Sequence, residues 1–417
     1  MKEVKLTLKV ITPLFMGGAN QQAELRSQSF NGVLRWWFRV AGGSFEDEKK
    51  LFGWGGEKSN KGRVKLLVIS KELNSQIFEK EFDEQCRIRQ DKGINYLGFS
   101  LDQRFRIDQY DRIRRKYLKE DQKFEIKLFF HPTLKEEDIK KFFATLWLAF
   151  NLGNFGSRSR RGFGSIMIEK IDGIDLTKEL DGLNFNLNND DINTWVNYNL
   201  NKIREIIQTN QREDIPFVFG EDFKIYQVNK NNYQKWKNWI KTVQNGRNGK
   251  FLKRKWGGNT INTWEDLLDF MGFLLMAYRS YKKPDYDVAK SILQNKNLQN
   301  MTFEREIFGL PLNFFYSSLG NPTTGKNGYG DKIDLVEIIN NKPHASRRAS
   351  PLMMKILLNN YNNYEGLFII AKSKFKPDNY KLKFQGKDIT LPENNEWKAI
   401  DDFISSLKNN SLIVDIK

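Results

Sequence analysis

Val4, Leu6, Leu8 and Val10 alternate with polar residues, the period of a strand with one buried face. Thr12-Pro13 ends that run and Gly17-Gly18 opens a loop. Beyond Ser29 the period lengthens: Phe30, Val33, Leu34, Trp37 and Ala41 share one helical face, with Arg35 and Arg39 opposite and Gly42-Gly43 as the stop. Residues 45–62 read as glycine-rich loop, and Val64–Ile69 and Lys123–Phe130 as strands. Residues 80–122 interleave Arg104, Arg106, Arg112, Arg114 and Arg115 with Asp102, Asp108, Asp111, Phe105 and Tyr110, the pattern of a salt-bridged surface, with an RNA-facing insertion as the alternative. Thr133 and Glu136 carry capping-box spacing ahead of Ile139, Phe142, Phe143, Leu146, Trp147 and Phe150 at helical intervals. Ser165–Ile168 opens another strand, so this half predicts β–α–β–β–α–β, the ferredoxin-like order.

The stretch 172–214 is rich in Asn and Asp, with one amphipathic segment near Trp195–Ile207. A second run of elements then follows. Phe217–Val228 is strand-like, Thr263 and Asp266 resemble a capping box, and Leu267–Tyr278 is apolar nearly all round. Ile307–Phe315, Pro351–Leu358 and Leu367–Ala371 are strand candidates, Trp397 to Leu407 forms a helical stripe, and Ser411–Ile416 closes as a strand. The pattern predicts an α+β chain of two tandem ferredoxin-like (RRM-like, βαββαβ) domains with insertions. The boundaries fall at 1–175 and 215–417, with 176–214 connecting them.

Charge narrows the function. The chain has 417 residues, 68 Lys+Arg and 51 Asp+Glu, a net charge of +17. A surplus of that size favours a polyanionic partner. A lone cysteine, Cys86, forbids an internal disulfide and suits a reducing compartment. The N-terminus opens directly into strand pattern and no apolar run reaches membrane-spanning length, which reads as a cytoplasmic protein with no membrane partner.

The most distinctive stretch is Gly153–Gly164, with four glycines and Arg158, Arg160 and Arg161 between a helix and a strand. Glycines let backbone N–H groups gather around an anion, and the guanidinium forks suit phosphate. A short loop has no core of its own for three guanidiniums, so at least two of these arginines are expected to face RNA or a neighbouring subunit that carries RNA. Removing all three charges should then leave the melting temperature nearly unchanged. Arg161-Gly162-Phe163-Gly164 begins like an RNA-recognition signature, but Ser165 and Ile168 replace the base-stacking aromatics. Gly320 to Asn327 is one residue short of a Walker A loop, and Asn327 replaces the hydroxyl that would ligate Mg²⁺. His131 and His344 are the only histidines; no metal cluster, cofactor or catalytic set emerges. His344 sits in the basic stretch Lys342 to Pro351, where Arg347 and Arg348 read as phosphate contacts. An acid/base role for it in RNA cleavage would need a positioned partner.

Thr12 to Gly18, the helix Ser29 to Arg39, Gly153–Gly164 and the element Arg347-Arg348-Ala349-Ser350-Pro351-Leu352 together resemble the RAMP superfamily of CRISPR-associated proteins. Within it, the chain is similar to the first-numbered subunit of the Cmr (type III-B) RNA-targeting effector complexes. The resemblance implies two fused ferredoxin-like domains and a non-catalytic role at the end of the effector that holds the 3′ region of the guide RNA. It also implies contact with single-stranded target RNA and with other RAMP subunits. The RNA-binding positions it carries over are Gly17, Gly18, Arg35, Arg39, Gly156, Arg158, Arg160, Arg161, Gly162, Gly164, Arg347 and Arg348. Two alternatives remain: a metal-independent endoribonuclease that processes CRISPR RNA through His344, and an RNA-binding protein that joins no complex.

Overall fold

The computed structural model describes residues 1–417 except 57–58, 71–72, 78–91, 100, 102–103, 107–111, 189–190, 208–209, 245–255, 281–283, 297, 299–300, 326, 341, 377 and 393–395. Cys86, Asp102, Asp108 and Asp111 lie outside the described residues, so the salt-bridged surface expected there does too.

The first half runs β1 (Lys2–Val10), α1 (Ser27–Val40), α2 (Phe45–Phe52), β2 (Val64–Ile69), β3 (Lys123–Phe130), α3 (Glu136–Asn151) and β4 (Ile166–Asp172). These strands form one antiparallel sheet in the order β2-β3-β1-β4. Alternation decides which face is buried: Val4, Leu6, Leu8 and Val10 are fully buried against α1 and α3.

Two local readings need correction. Residues 45–52 are a helix, because Ser44 accepts from the Asp47 N–H and three acidic residues fill the first turn. The Thr133–Glu136 box does not form; at the start of α3 Asp138 Oδ2 accepts the Lys135 N–H at 2.9 Å. Thr133 instead meets His131 Nδ1 at 2.9 Å.

After α4 (Ile192–Ile206) the second half continues β5 (Phe223–Val228), α5 (Trp264–Arg279), β6 (Leu312–Gly320), β7 (Asn327–Ile339) and β8 (Lys342–Ser346). It closes with β9 (Leu352–Leu358), β10 (Tyr364–Ala371), β11 (Tyr380–Phe384), β12 (Lys387–Ile389), α6 (Lys398–Asn409) and β13 (Ile413–Asp415). One antiparallel sheet has the order β9-β10-β5-β13. Numbering each four-stranded sheet by chain order, both read 2-3-1-4. Strands β6, β7, β11 and β12, with β8 paired to β7, make a further sheet from the insertions before β9 and after β10. The expected strand from Ile307 starts only at Leu312, after a short 3-10 turn at Glu306–Phe308. The Walker-like stretch is the hairpin between β6 and β7, where Asn321 Oδ1 accepts from the Thr323 and Thr324 N–H groups.

The halves share a core. All seven residues of β9 are buried, the mark of a strand covered on both faces. Met354 and Ile356 pack with α5, while Met353 and Leu357 join Phe223 and Ile225 in the core built on α1, α3 and α4. Trp37 meets Phe223 edge to face across that boundary, with centroids 6.4 Å apart. Trp195 of α4 packs on Trp147, so the Asn-rich connecting stretch carries core of its own.

Candidate nucleic-acid interface

The Gly/Arg loop lies in the seam where the edge strand β9 meets the first half. An edge strand leaves N–H and C=O groups unpaired. Asn154 Nδ2 donates to Met354 O at 2.7 Å, and the Ile356 N–H donates to Ser165 Oγ at 3.3 Å. Ser165 Oγ in turn donates to Asn154 Oδ1 at 2.6 Å. The serine that breaks the RNA-recognition signature therefore joins the halves. Lys355, 1 % exposed, donates Nζ to Gly153 O at 2.8 Å, and burial pulls its amine down to about 7.

The loop arginines are tied to backbone carbonyls rather than free in solvent, and of the three Arg160 also lines a cleft. Arg160 donates to Ser350 O and lies over the Trp36 ring at 5.1 Å. Arg161 reaches Phe308 O at 3.5 Å, and its buried Nη1 has no acceptor. Desolvation, reinforced by Arg348 for Arg160 and by Arg279 for Arg161, pulls both guanidiniums down to about 10. Arg158 donates to Phe99 O, and burial lowers it too. The physical reason is the second half: it brings backbone carbonyls and aromatic faces to cations that have no acid nearby in sequence. Gly162 and Gly164 are buried as well. Gly162 has φ +83°, and a Cβ there would overlap Leu268 Cδ1.

Arg35 and Arg39 converge on Glu48 of α2, whose side chain is 1 % exposed. Arg35 Nη2 lies 2.7 Å and Arg39 Nη2 2.6 Å from Oε1, with Arg39 Nε at 2.7 Å from Oε2. Burial alone would raise the Glu48 carboxyl, but hydrogen bonds and charge from the two arginines outweigh it and hold it low. The same bond to Glu48 raises Arg39. These two arginines are a buried-carboxylate clamp, and neither lines the clefts described next.

Three clefts run end to end across the seam. The first, about 360 Å³, is lined by Gly17, Gly18, Arg115, Lys116, Gly156 and Ser157. It meets the second, about 310 Å³, at Ser29 and Val33, and the second holds Trp36, Asn154, Ser159 and Arg160. A third, about 100 Å³, continues from Trp36 and Arg160 to Asp214, Arg348 and Ser373. The structure thus brings Gly17, Gly18, Gly156, Arg160 and Arg348 onto one trough. Arg348 is anchored there by Ser373 Oγ at 3.0 Å and Lys374 O at 2.9 Å, while Arg347 beside it is exposed.

Four cations and one carboxylate, Asp214, line the trough among the described residues, a balance that favours an anion. The N-terminus of α1 opens onto it with no side-chain cap and no acidic residue in the first turn. Arg115 belongs to the stretch that the sequence left open between a salt-bridged surface and an RNA-facing insertion, and Lys116 gave no signal of its own. Arg115 is held by Gln21 Oε1 and Ser157 Oγ, both at 2.9 Å, and the mixed charges around it gave no signal of that. His344 is exposed on β8, in register with Glu337. No cluster of acidic, His or Cys residues able to hold a metal occurs among the described residues. Nor is any described helix long and apolar enough to cross a membrane.

Comparison with known proteins places the chain in a family. The RAMP superfamily model matches residues 7–167. The CRISPR system Cmr subunit Cmr1-2 of Pyrococcus furiosus is 32% identical over 188 residues, spanning 41% of this chain and 97% of that protein. Cmr subunit Cmr1-1 of the same organism is 31% identical over 174 residues, 38% of this chain and 46% of that one. The crystal structure of apo Cmr1 from Pyrococcus furiosus shares the fold, with a TM-score of 0.53 at 19% identity, covering 100% of this chain and 99% of that chain. The chain belongs to the RAMP superfamily and, within it, to the family of these Cmr1 subunits.

Proposed function

We propose that this protein is a non-catalytic, cytoplasmic RNA-binding subunit of a type III-B CRISPR effector complex. In antiviral defence it holds the 3′ region of the guide RNA, together with single-stranded target RNA, at one end of that complex. The observation that carries this reading is the trough: a continuous cationic path crosses both halves, with glycines at one end where a phosphate backbone can approach. The relatives' names as Cmr subunits supply the complex. The repeated 2-3-1-4 strand order supports reading the chain as two ferredoxin-like units in tandem, with the third sheet as their insertion. Of the sequence-derived positions, Gly17, Gly18, Gly156, Arg160, Arg347 and Arg348 remain with the RNA in this reading, joined by Arg115 and Lys116. Among the described residues no side-chain hydrogen bond positions His344 as the endoribonuclease alternative requires.

Purification of the tagged chain from its native cell tests the proposal. Other RAMP subunits and a guide RNA should accompany it, and ultraviolet crosslinks from the trough should map to the guide's 3′ region. Recovery of the chain free of RNA and RAMP partners would overturn it, and crosslinks confined to the guide's 5′ region would overturn the assigned end.

A further inference from the structure

The middle cleft is built differently from its neighbours. Val33, Trp36, Trp37 and Met353 give it apolar walls, and Gln28 and Ser29 stand at one edge with side chains that bond no protein group among the described residues. Trp36 is half-buried and fixed edge-on to Trp37, with centroids 4.9 Å apart and planes at 84°, and Arg160 lies over its ring. Aromatic rings and guanidinium planes are the surfaces on which unstacked RNA bases come to rest.

Gly32 adds an independent observation. Glycine within a helix costs stability, so its presence in α1 calls for a reason. A Cβ at Gly32 would meet nothing within 4 Å, and its φ is not left-handed, so neither packing nor backbone requires glycine. Gly32 is one turn before Trp36 on the same helical face, and a helical side chain leans back over the turn that precedes it. The missing side chain therefore leaves room beside the indole, in a cleft both residues line.

We infer that this cleft receives one unstacked nucleobase of single-stranded RNA, stacked on Trp36, with the flanking phosphates in the clefts on either side. The inference rests on the RNA-binding reading above and adds where a base goes. Its volume, about 310 Å³, is at the small end for ligand pockets and suits a single base. The stack tolerates any base, because each has a π face. Gln28 and Ser29 offer donors and acceptors to the base edge.

The full-length protein is titrated with a fluorescent single-stranded RNA of mixed sequence and with an abasic ribose-phosphate oligomer of equal length. The wild type should prefer the base-bearing strand by about tenfold, as expected for one stacked base. Gly32→Leu fills the space with a better helix former and should abolish the preference while keeping affinity for the abasic strand. Trp36→Ala should do the same, and Trp36→Phe should keep most of the preference. Equal binding of both strands by the wild type, or an undiminished preference in Gly32→Leu, would overturn the base pocket and leave the RNA reading standing. Failure of the wild type to bind either strand would overturn that reading and the pocket with it.

Discussion

Replacing Lys355 with methionine perturbs the seam at its one buried amine. The folded protein holds this group at about 7, against 10.5 for a free lysine, and its single hydrogen bond goes to Gly153 O. Between those values the unfolded chain binds a proton that the folded chain does not, so the penalty is full below pH 7 and stability rises with pH toward 10.5. At roughly 1.4 kcal/mol per pH unit, the wild type should gain roughly 2–3 kcal/mol between about pH 7.5 and 9.5 from this group alone. Methionine removes the titration and leaves Gly153 O without its donor, a loss of about 1–2 kcal/mol. Lys355→Met should therefore be the more stable protein near pH 7.5, by about 2 kcal/mol, and should lose that advantage by pH 9.5. Urea denaturation of both proteins at a series of pH values, followed by tryptophan fluorescence, measures the difference directly. A stability difference constant across the series would refute the reasoning.

Three further outcomes follow from the same geometry. Glu48→Gln should cost roughly 2–4 kcal/mol in denaturant melts near neutral pH, because two guanidiniums lose their buried carboxylate. Since the folded pKa of Glu48 is depressed, this contribution is present above the unfolded value and fades as pH falls through the folded one. Arg160→Ala and Arg161→Ala should each lower the melting temperature, as exposed loop arginines would not, because they bond carbonyls of the second half. Gly162→Val should cost roughly 3 kcal/mol, read in the same melts, since a β-branched residue at φ +83° also drives into Leu268.

Local periodicity made the first sheet legible. Val4, Leu6, Leu8 and Val10 alternate as they do because only one face of β1 is covered, and the Thr263–Asp266 box opens α5 as its spacing predicts. The seam was not legible, because its chemistry joins positions far apart: Asn154 with Met354, Arg160 with Ser350, Lys355 with Gly153. An arginine-rich loop looks solvated until the carbonyls that cover it are known. Helix α2 was hidden behind neighbouring glycines, although Ser44 followed by Glu46, Asp47 and Glu48 is a helix-start signal. Recognising it would have supplied the acid that claims Arg35 and Arg39. Of the residues lining the trough, Gly156, Arg160 and Arg348 stood out as members of glycine-rich or basic stretches, while Gly17 and Gly18 entered through the family resemblance. Arg115 stood in a stretch with two open readings, and Lys116 gave no signal, since their place depends on a strand register that mixed charge conceals.

The central claim is that the trough holds single-stranded RNA by its phosphates, and the salt dependence of binding by an Arg115→Ala/Lys116→Ala variant tests it most directly. Each phosphate contact on a single strand contributes about 0.7 to the slope of log affinity against log salt. The account predicts that the double variant binds RNA more weakly than the wild type, with a slope shallower by about 1.4, while the loss of the Arg115 bonds to Gln21 and Ser157 lowers the melting temperature only modestly. A variant whose affinity and slope both match the wild type would contradict it.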